Sequence, residues 1–228
     1  MNFTDICTEC QSKQMKTILV TLLIAIIVFF IFRQMVYKPY AWKKAITSKE
    51  HQLQVASFIF SKQSGSNGSQ SFANHYFVFK VIEINGDYVR LSVIRRLSEK
   101  GKISEGDFST TSSHYKELKK TIKDILITPI LYEDLYKGDA PYELNDYLLE
   151  KYPDLKKSRY YYEDIRLENK NKTLPTASMD LNLYFELVYS KKEIIENGKL
   201  TPFTMTNSFN NKPLLMKELP ENIDLILN

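Results

Sequence analysis

The sequence predicts an α+β fold: one apolar helix near the N-terminus, then a mainly antiparallel sheet domain with two or three helices. Three observations predict it. Residues 17–32, TILVTLLIAIIVFFIF, carry no charge. Several later runs alternate apolar and polar residues with the period of a half-buried strand. These runs are grouped around two helical stripes, without the strand–helix alternation that a parallel α/β sheet requires.

Composition sets the outer bounds. The 228 residues are 43% hydrophobic and 25% charged, as in a globular chain with an ordinary core. Only 7 Gly and 8 Pro exclude collagen-like or low-complexity architecture, and 2 Cys cannot staple a small secreted scaffold. The net charge of +4, from 31 basic and 27 acidic residues, is too mild to mark a nucleic-acid binder.

Residues 17–37 are expected to cross a membrane, after a short polar tail at 1–16. An amphipathic helix would show a polar face, and this stretch has none. Sixteen apolar residues rise about 24 Å, less than the ~30 Å hydrocarbon layer. Lys16 and Arg33 close the gap if their stems lie along lipid and their charged ends reach the interfaces. Tyr37, Tyr40 and Trp42 then fall where interfacial aromatics gather. No small-residue cleavage site follows, so a permanent anchor is favoured over a removed signal peptide. Arg33, Lys38, Lys43 and Lys44 after the stretch outnumber Lys13 and Lys16 before it, which places the C-terminal domain on the cytoplasmic side. The basic QSKQMK ahead of the stretch argues the other way, as in a signal anchor that exports the domain C-terminal to it. Residues 38–50 read as a juxtamembrane helix or stalk, with Lys43 and Lys44 attracted to anionic lipid.

Residues 51–228 form the expected α+β domain. Leu53, Val55, Phe58 and Phe60 mark a first strand, and SKQSGSNGSQS a flexible loop after it. HYFVFKVIEI, residues 75–84, is apolar on both faces and so a central strand. Asn85-Gly86-Asp87 supplies a tight hairpin into Val89, Leu91 and Val93. Three such antiparallel strands would curl into a half-barrel, with Gly101 and Gly106 at the turns beyond. Ser112 and Ser113 are placed to cap a helix with the stripe Tyr115, Leu118, Ile122, Ile125 and Leu126, ended by Thr128-Pro129. A second helix is expected over 142–152. A strand follows at 181–189, a turn at Asn197-Gly198, and an edge strand at 200–205 broken by Pro202.

Candidate chemistry is sparse. Cys7 and Cys10 have half the spacing of a zinc site, with no second pair to complete it. The pair is expected to have no essential role, with a dimer cross-link, a metal shared between copies or lipid attachment as the alternatives. His51, His75 and His114 lack metal-ligand spacing. Ser112 and His114 sit close in sequence, as a nucleophile and base would, but Ser/Thr clusters before helices are commonly caps. The carboxylate pairs Glu133-Asp134 and Glu163-Asp164 are neighbours whose side chains point apart on a strand. Glu143 with Asp146 reads as a solvated helix face. No phosphate-cradling glycine loop occurs, and neither a cofactor nor a metal is expected.

Tyrosine is the conspicuous residue type, 15 in all. Tyr160-Tyr161-Tyr162 do not all fit one core, and charged neighbours including Arg166 frame them as a rim frames an interface. Tyr160, Tyr161, Tyr162 and Arg166 are therefore the expected partner-binding residues. Arg33, Tyr37, Tyr40, Trp42, Lys43 and Lys44 are the expected membrane interface. The expected function is a non-enzymatic, single-pass, membrane-anchored protein-binding domain: an accessory subunit, a tether or a toxin-neutralising protein. Its partners would be the lipid bilayer and a protein, not nucleic acid, with homo-oligomerisation open. The alternative is a membrane-anchored hydrolase using Ser112 and His114.

Overall fold

The computed structural model describes residues 3–66, 72–97, 110–137, 144–157, 160–170, 188–205, 213–216 and 220–228, with side chains from Met15 onward except Ser66, Asn169 and Met205. The chain divides into two compact units, Met1–Lys44 and Ala45–Asn228.

The first unit is helical. Helix α1 (Phe3–Phe32) passes through one π turn (Arg33–Tyr37) into α2 (Lys38–Ile46). The π turn is closed by the Lys38 N–H donating to the Arg33 carbonyl, and it lies immediately before Pro39. Proline has no N–H and its ring clashes with the carbonyl four residues back, so a widened turn is where an uninterrupted helix can accept it. The run Met15–Ile46 is long and apolar enough to cross a membrane. Its apolar side chains are exposed all round, Leu19 at 69% and Phe29 at 61%.

The second unit is α+β with a mainly antiparallel sheet. Its strands are β1 (Phe58–Ser66), β2 (Phe72–Asn85), β3 (Tyr88–Val93), β4 (Leu126–Leu131), β5 (Tyr160–Ile165), β6 (Val188–Ser190), β7 (Lys199–Leu200), β8 (Phe203–Met205), β9 (Pro213–Leu215) and β10 (Glu221–Leu227). Its helices are α3 (Ser112–Thr121), α4 (Tyr132–Leu135), α5 (Asp146–Lys151) and α6 (Lys191–Asn197).

Six strands pair in the order β6-β3-β2-β1-β10-β7. The two ends of that order meet: Tyr189 bridges Pro202, and the Ser190 N–H donates to the Thr201 carbonyl at 3.1 Å. The two ends of the sheet are thus tied together at this point, which shortens the edge left open there. Asp87, in the β2–β3 turn, joins this tie to the hairpin. Its backbone carbonyl accepts the Lys191 N–H at 2.8 Å, and its carboxylate accepts the Lys192 N–H at 2.7 Å and the Ser190 hydroxyl at 2.9 Å.

Register assigns the two faces. Ile59 opposite Phe79, Val81 opposite Leu91 and Val89 opposite Tyr189 lie on one. Phe60 and Val78 lie on the other, packed with Ile94, Tyr115, Leu118, Ile122 and Tyr161. A second cluster of Leu97, Ile130, Leu135, Leu148, Leu155, Tyr160 and Tyr162 lies on the far side of β5. The C-terminal residue is knitted into the segment that enters the unit. Asn228 Nδ2 donates to the Lys49 and Gln52 carbonyls at 2.7 and 2.9 Å, and its Oδ1 accepts the Ser57 hydroxyl. In the same segment Ala56 takes a φ of 72°, a conformation that glycine adopts more readily.

Several expectations are corrected. β1 runs on through Ser66, so half of the expected loop is strand, and 67–71 lie outside the described residues. The first helix ends at Thr121 and one 3-10 turn; Leu126 to Leu131 form β4 instead, parallel to β5, with Pro129 exposed within it. Its run of Ile, Leu and Thr packs as well on a sheet as on a helix, and an edge strand tolerates proline. Thr111 is the N-cap of α3, and its hydroxyl pairs with that of Ser113 at 3.2 Å rather than with the helix backbone. α5 begins at Asp146, capped by Asn145. Gly198 is the left-handed C-cap of α6 rather than part of a hairpin turn. Gly101, Gly106, Tyr142 and most of 181–189 lie outside the described residues.

Candidate functional site

The three consecutive tyrosines lie in β5, and both faces of that strand are covered. Tyr160, Tyr161 and Tyr162 are 6%, 8% and 1% exposed. Alternation along the strand sends Tyr161 into the cluster under α3, and Tyr160 and Tyr162 into the one built with β4, α4 and α5. The three do not share one core, as expected, but they divide between two cores instead of reaching the surface. These rings are interior packing and present no contact surface.

Arg166, just beyond β5, is exposed. Its guanidinium lies 4.9 Å from the centre of the Tyr132 ring, which is itself 4.5 Å from that of Tyr136. Leu167 beside it is 60% exposed, and its N–H is held by both carboxylate oxygens of Glu133 at 3.2 Å. Two tyrosines, an arginine and an exposed leucine thus share one patch around α4.

Asp134 fastens that patch from below. It is 3% exposed and accepts hydrogen bonds from Lys151 Nζ at 2.5 Å, Tyr147 OH at 2.9 Å and Tyr152 OH at 3.1 Å. Burial pushes its pKa upward, but the three donors outweigh burial and hold it below the usual carboxylate value. Lys137 Nζ completes the network by donating to Tyr147 OH at 2.9 Å. The sequence offered Glu133-Asp134 only as a neighbouring pair; their divergence is real, Glu133 exposed and Asp134 buried.

Two further carboxylates are withdrawn from water, Glu163 buried and Glu221 half-buried. Glu163, with a side chain 4% exposed, pairs with Lys80 at 3.2 Å, and its Oε2 has no hydrogen-bond partner. Glu221, at the start of β10, has its carboxyl pushed up to about 7 by burial, with a smaller opposing effect from a Gln63 hydrogen bond. Its Oε2 is likewise buried and unpartnered.

The remaining candidates are dispersed. Ser112 is exposed and His114 half-buried in the first turn of α3, and neither bonds a carboxylate among the described residues. His51 Nδ1 lies 2.6 Å from the Ile226 carbonyl. Cys7 and Cys10 lie within α1, their side chains outside the described residues. Among the described residues no three His, Cys, Asp or Glu side chains gather as metal ligands. Arg33, Tyr37, Tyr40, Lys43 and Lys44 are exposed along the helix, and Trp42 is half-buried. No family model, curated protein or solved structure matches this chain. The arrangement around α4 has the chemistry of recognition: aromatic faces, a planar cation and fixed polar groups.

Proposed function

We infer that this chain is a single-pass membrane protein whose 45–228 unit binds a protein partner through the patch of Tyr132, Tyr136, Arg166 and Leu167, without chemistry of its own. The observation that carries the anchoring is the exposure of every apolar side chain from Ile18 to Phe32. In water that surface would cost on the order of 10–20 kcal/mol, whereas lipid solvates it. The observation that carries partner binding is an arginine stacked on one of two contacting tyrosines beside an exposed leucine. Tyrosine and arginine are enriched among the residues that dominate interface energetics, tyrosine for its large face with few rotors and arginine for its planar, multi-donor guanidinium.

The test has two parts. N-terminal sequencing of the mature, carbonate-resistant protein separates an anchor from a removed signal sequence, and the apolar stretch must still be present. Crosslinking of the full-length chain in its native membranes, with Tyr136→Ala and Arg166→Ala beside the unmodified chain, tests the patch. Partners recovered equally well by both variants would remove it.

A further inference from the structure

The helix does not stop where its apolar stretch stops. Beyond Phe32 it continues through the π turn and α2 to Ile46. From Cys10 to Lys49 the sequence holds seven Lys or Arg residues and no Asp or Glu.

Their arrangement around the axis is informative. At about 100° per residue, Lys43 and Lys44 lie about 140° and 240° round the helix from Lys38. All three are exposed, as is Arg33 one turn below. A helix docking on a protein presents one face to it. The occluded face of α2 (Pro39, Trp42 and Ile46) takes up only the arc between Lys38 and Lys43, and the cations flank it and occupy the rest of the circumference, as fits a helix open to headgroups on its remaining sides.

Heights agree. Arg33 to Lys44 spans about 16 Å of rise, against roughly 5–7 Å for the headgroup layer of one leaflet. On the spanning reading, with Arg33 set at the hydrocarbon edge, Lys38 falls inside that layer and Lys43 and Lys44 stand about one Debye length outside it. We propose that Arg33, Lys38, Lys43 and Lys44 form a collar that gathers anionic phospholipid headgroups around the helix. This site rests on the spanning reading above. Each cation near the surface strengthens the attraction of the segment to an anionic leaflet about five-fold, and the outer two contribute less because salt screens them.

Trp42 is the only tryptophan in the chain and sits within the collar, which makes it a clean energy donor. The full-length chain is reconstituted in phosphatidylcholine vesicles doped with pyrene-labelled phosphatidylglycerol or pyrene-labelled phosphatidylcholine. Greater transfer to phosphatidylglycerol is expected, declining as salt rises. The combined Arg33→Gln and Lys38→Gln variant should lose most of that preference, and Lys43→Gln with Lys44→Gln a smaller part. Equal transfer to both lipids at low salt, in a chain that resists alkaline carbonate, overturns the collar and leaves the span standing. A chain that carbonate extracts overturns both. If a variant fails to insert, the salt titration of the unmodified chain decides alone, and a preference that ignores salt refutes it.

Discussion

Glu221 gives the sharpest quantitative handle on the domain. Its carboxyl titrates near 7 in the folded chain, against a reference of 4.5, because burial disfavours the charged form. At 1.36 kcal/mol per unit the displacement corresponds to about 3 kcal/mol, reduced to about 2 kcal/mol because the residue is partly exposed. The sign follows from proton counts. Between the two pKa values the unfolded chain has released this proton and the folded chain has kept it, so stability falls as pH rises and levels off above 7. Glu221→Gln keeps the shape and the capacity to bond Gln63 but carries no charge. It should therefore stabilise the protein by about 2 kcal/mol near pH 8 and by well under 1 kcal/mol near pH 5. Urea unfolding of the detergent-solubilised full-length chain, followed by the near-ultraviolet signal of the core tyrosines, reads this as a midpoint shift of about 1 M at the higher pH. Comparing variant with parent at each pH cancels the other titrating groups. A difference that is the same at both pH values, or a variant less stable near pH 8, would refute burial as the cause.

Asn228→Ala removes the acceptor of the Ser57 hydroxyl and the donor to the Lys49 and Gln52 carbonyls. With each bond worth about 1 kcal/mol and part of the site open to water, the cost should be about 1–3 kcal/mol in chemical denaturation. Faster amide exchange should appear in β1 and β10. Asp134→Asn retains an acceptor for the tyrosines but places an amide against the Lys151 ammonium. Lys151 is 39% exposed and can turn to water, so the cost should stay near 1–2 kcal/mol, a fall in Tm of roughly 2–8 °C. An unchanged Tm would mean that the network does not hold α4.

Local rules were legible in the sequence where one or two residues decide the geometry. Asn85-Gly86 dictated the β2–β3 hairpin, and Gly86 does take the required positive φ, 57°. Pro202 likewise marked a break between short strands. Where a pattern fits two periods, reading failed. Ile122, Ile125 and Leu126 satisfy both a helical stripe and a strand, and only the parallel partner at Tyr160 to Ile165 makes the last of them a strand. Gly198 has the same left-handed conformation whether it turns a hairpin or caps a helix, so the residue type alone could not choose. The tyrosine run was misread for want of a long-range fact, namely that β5 separates two cores. The contacts of Asn228 with residues more than 170 positions earlier were beyond any local pattern.

The tie between the two ends of the six-stranded sheet also narrows how a partner can be recognised. Strand addition needs a row of unpaired backbone groups on an exposed edge. The six-stranded sheet offers none where β6 and the residues after β7 meet, although β7 covers only Glu221 and Asn222 of β10. In the β4–β5 sheet, β5 is bridged to Arg95 on one side and paired with β4 on the other, which leaves the outer edge of β4, while β8 and β9 form a separate two-stranded pair. Pro129 stands exposed in the middle of that strand and takes one N–H out of its row. Backbone recognition is thus poorly served at the edge of β4, and on the proposed reading a partner at this place would be held by side chains. β4 runs directly into α4, so the chain that blunts the edge also delivers Tyr132 and Tyr136 to Arg166. The blunted edge and the aromatic patch are consecutive features of one segment, and both favour a partner held by rings and charge over one that extends the sheet.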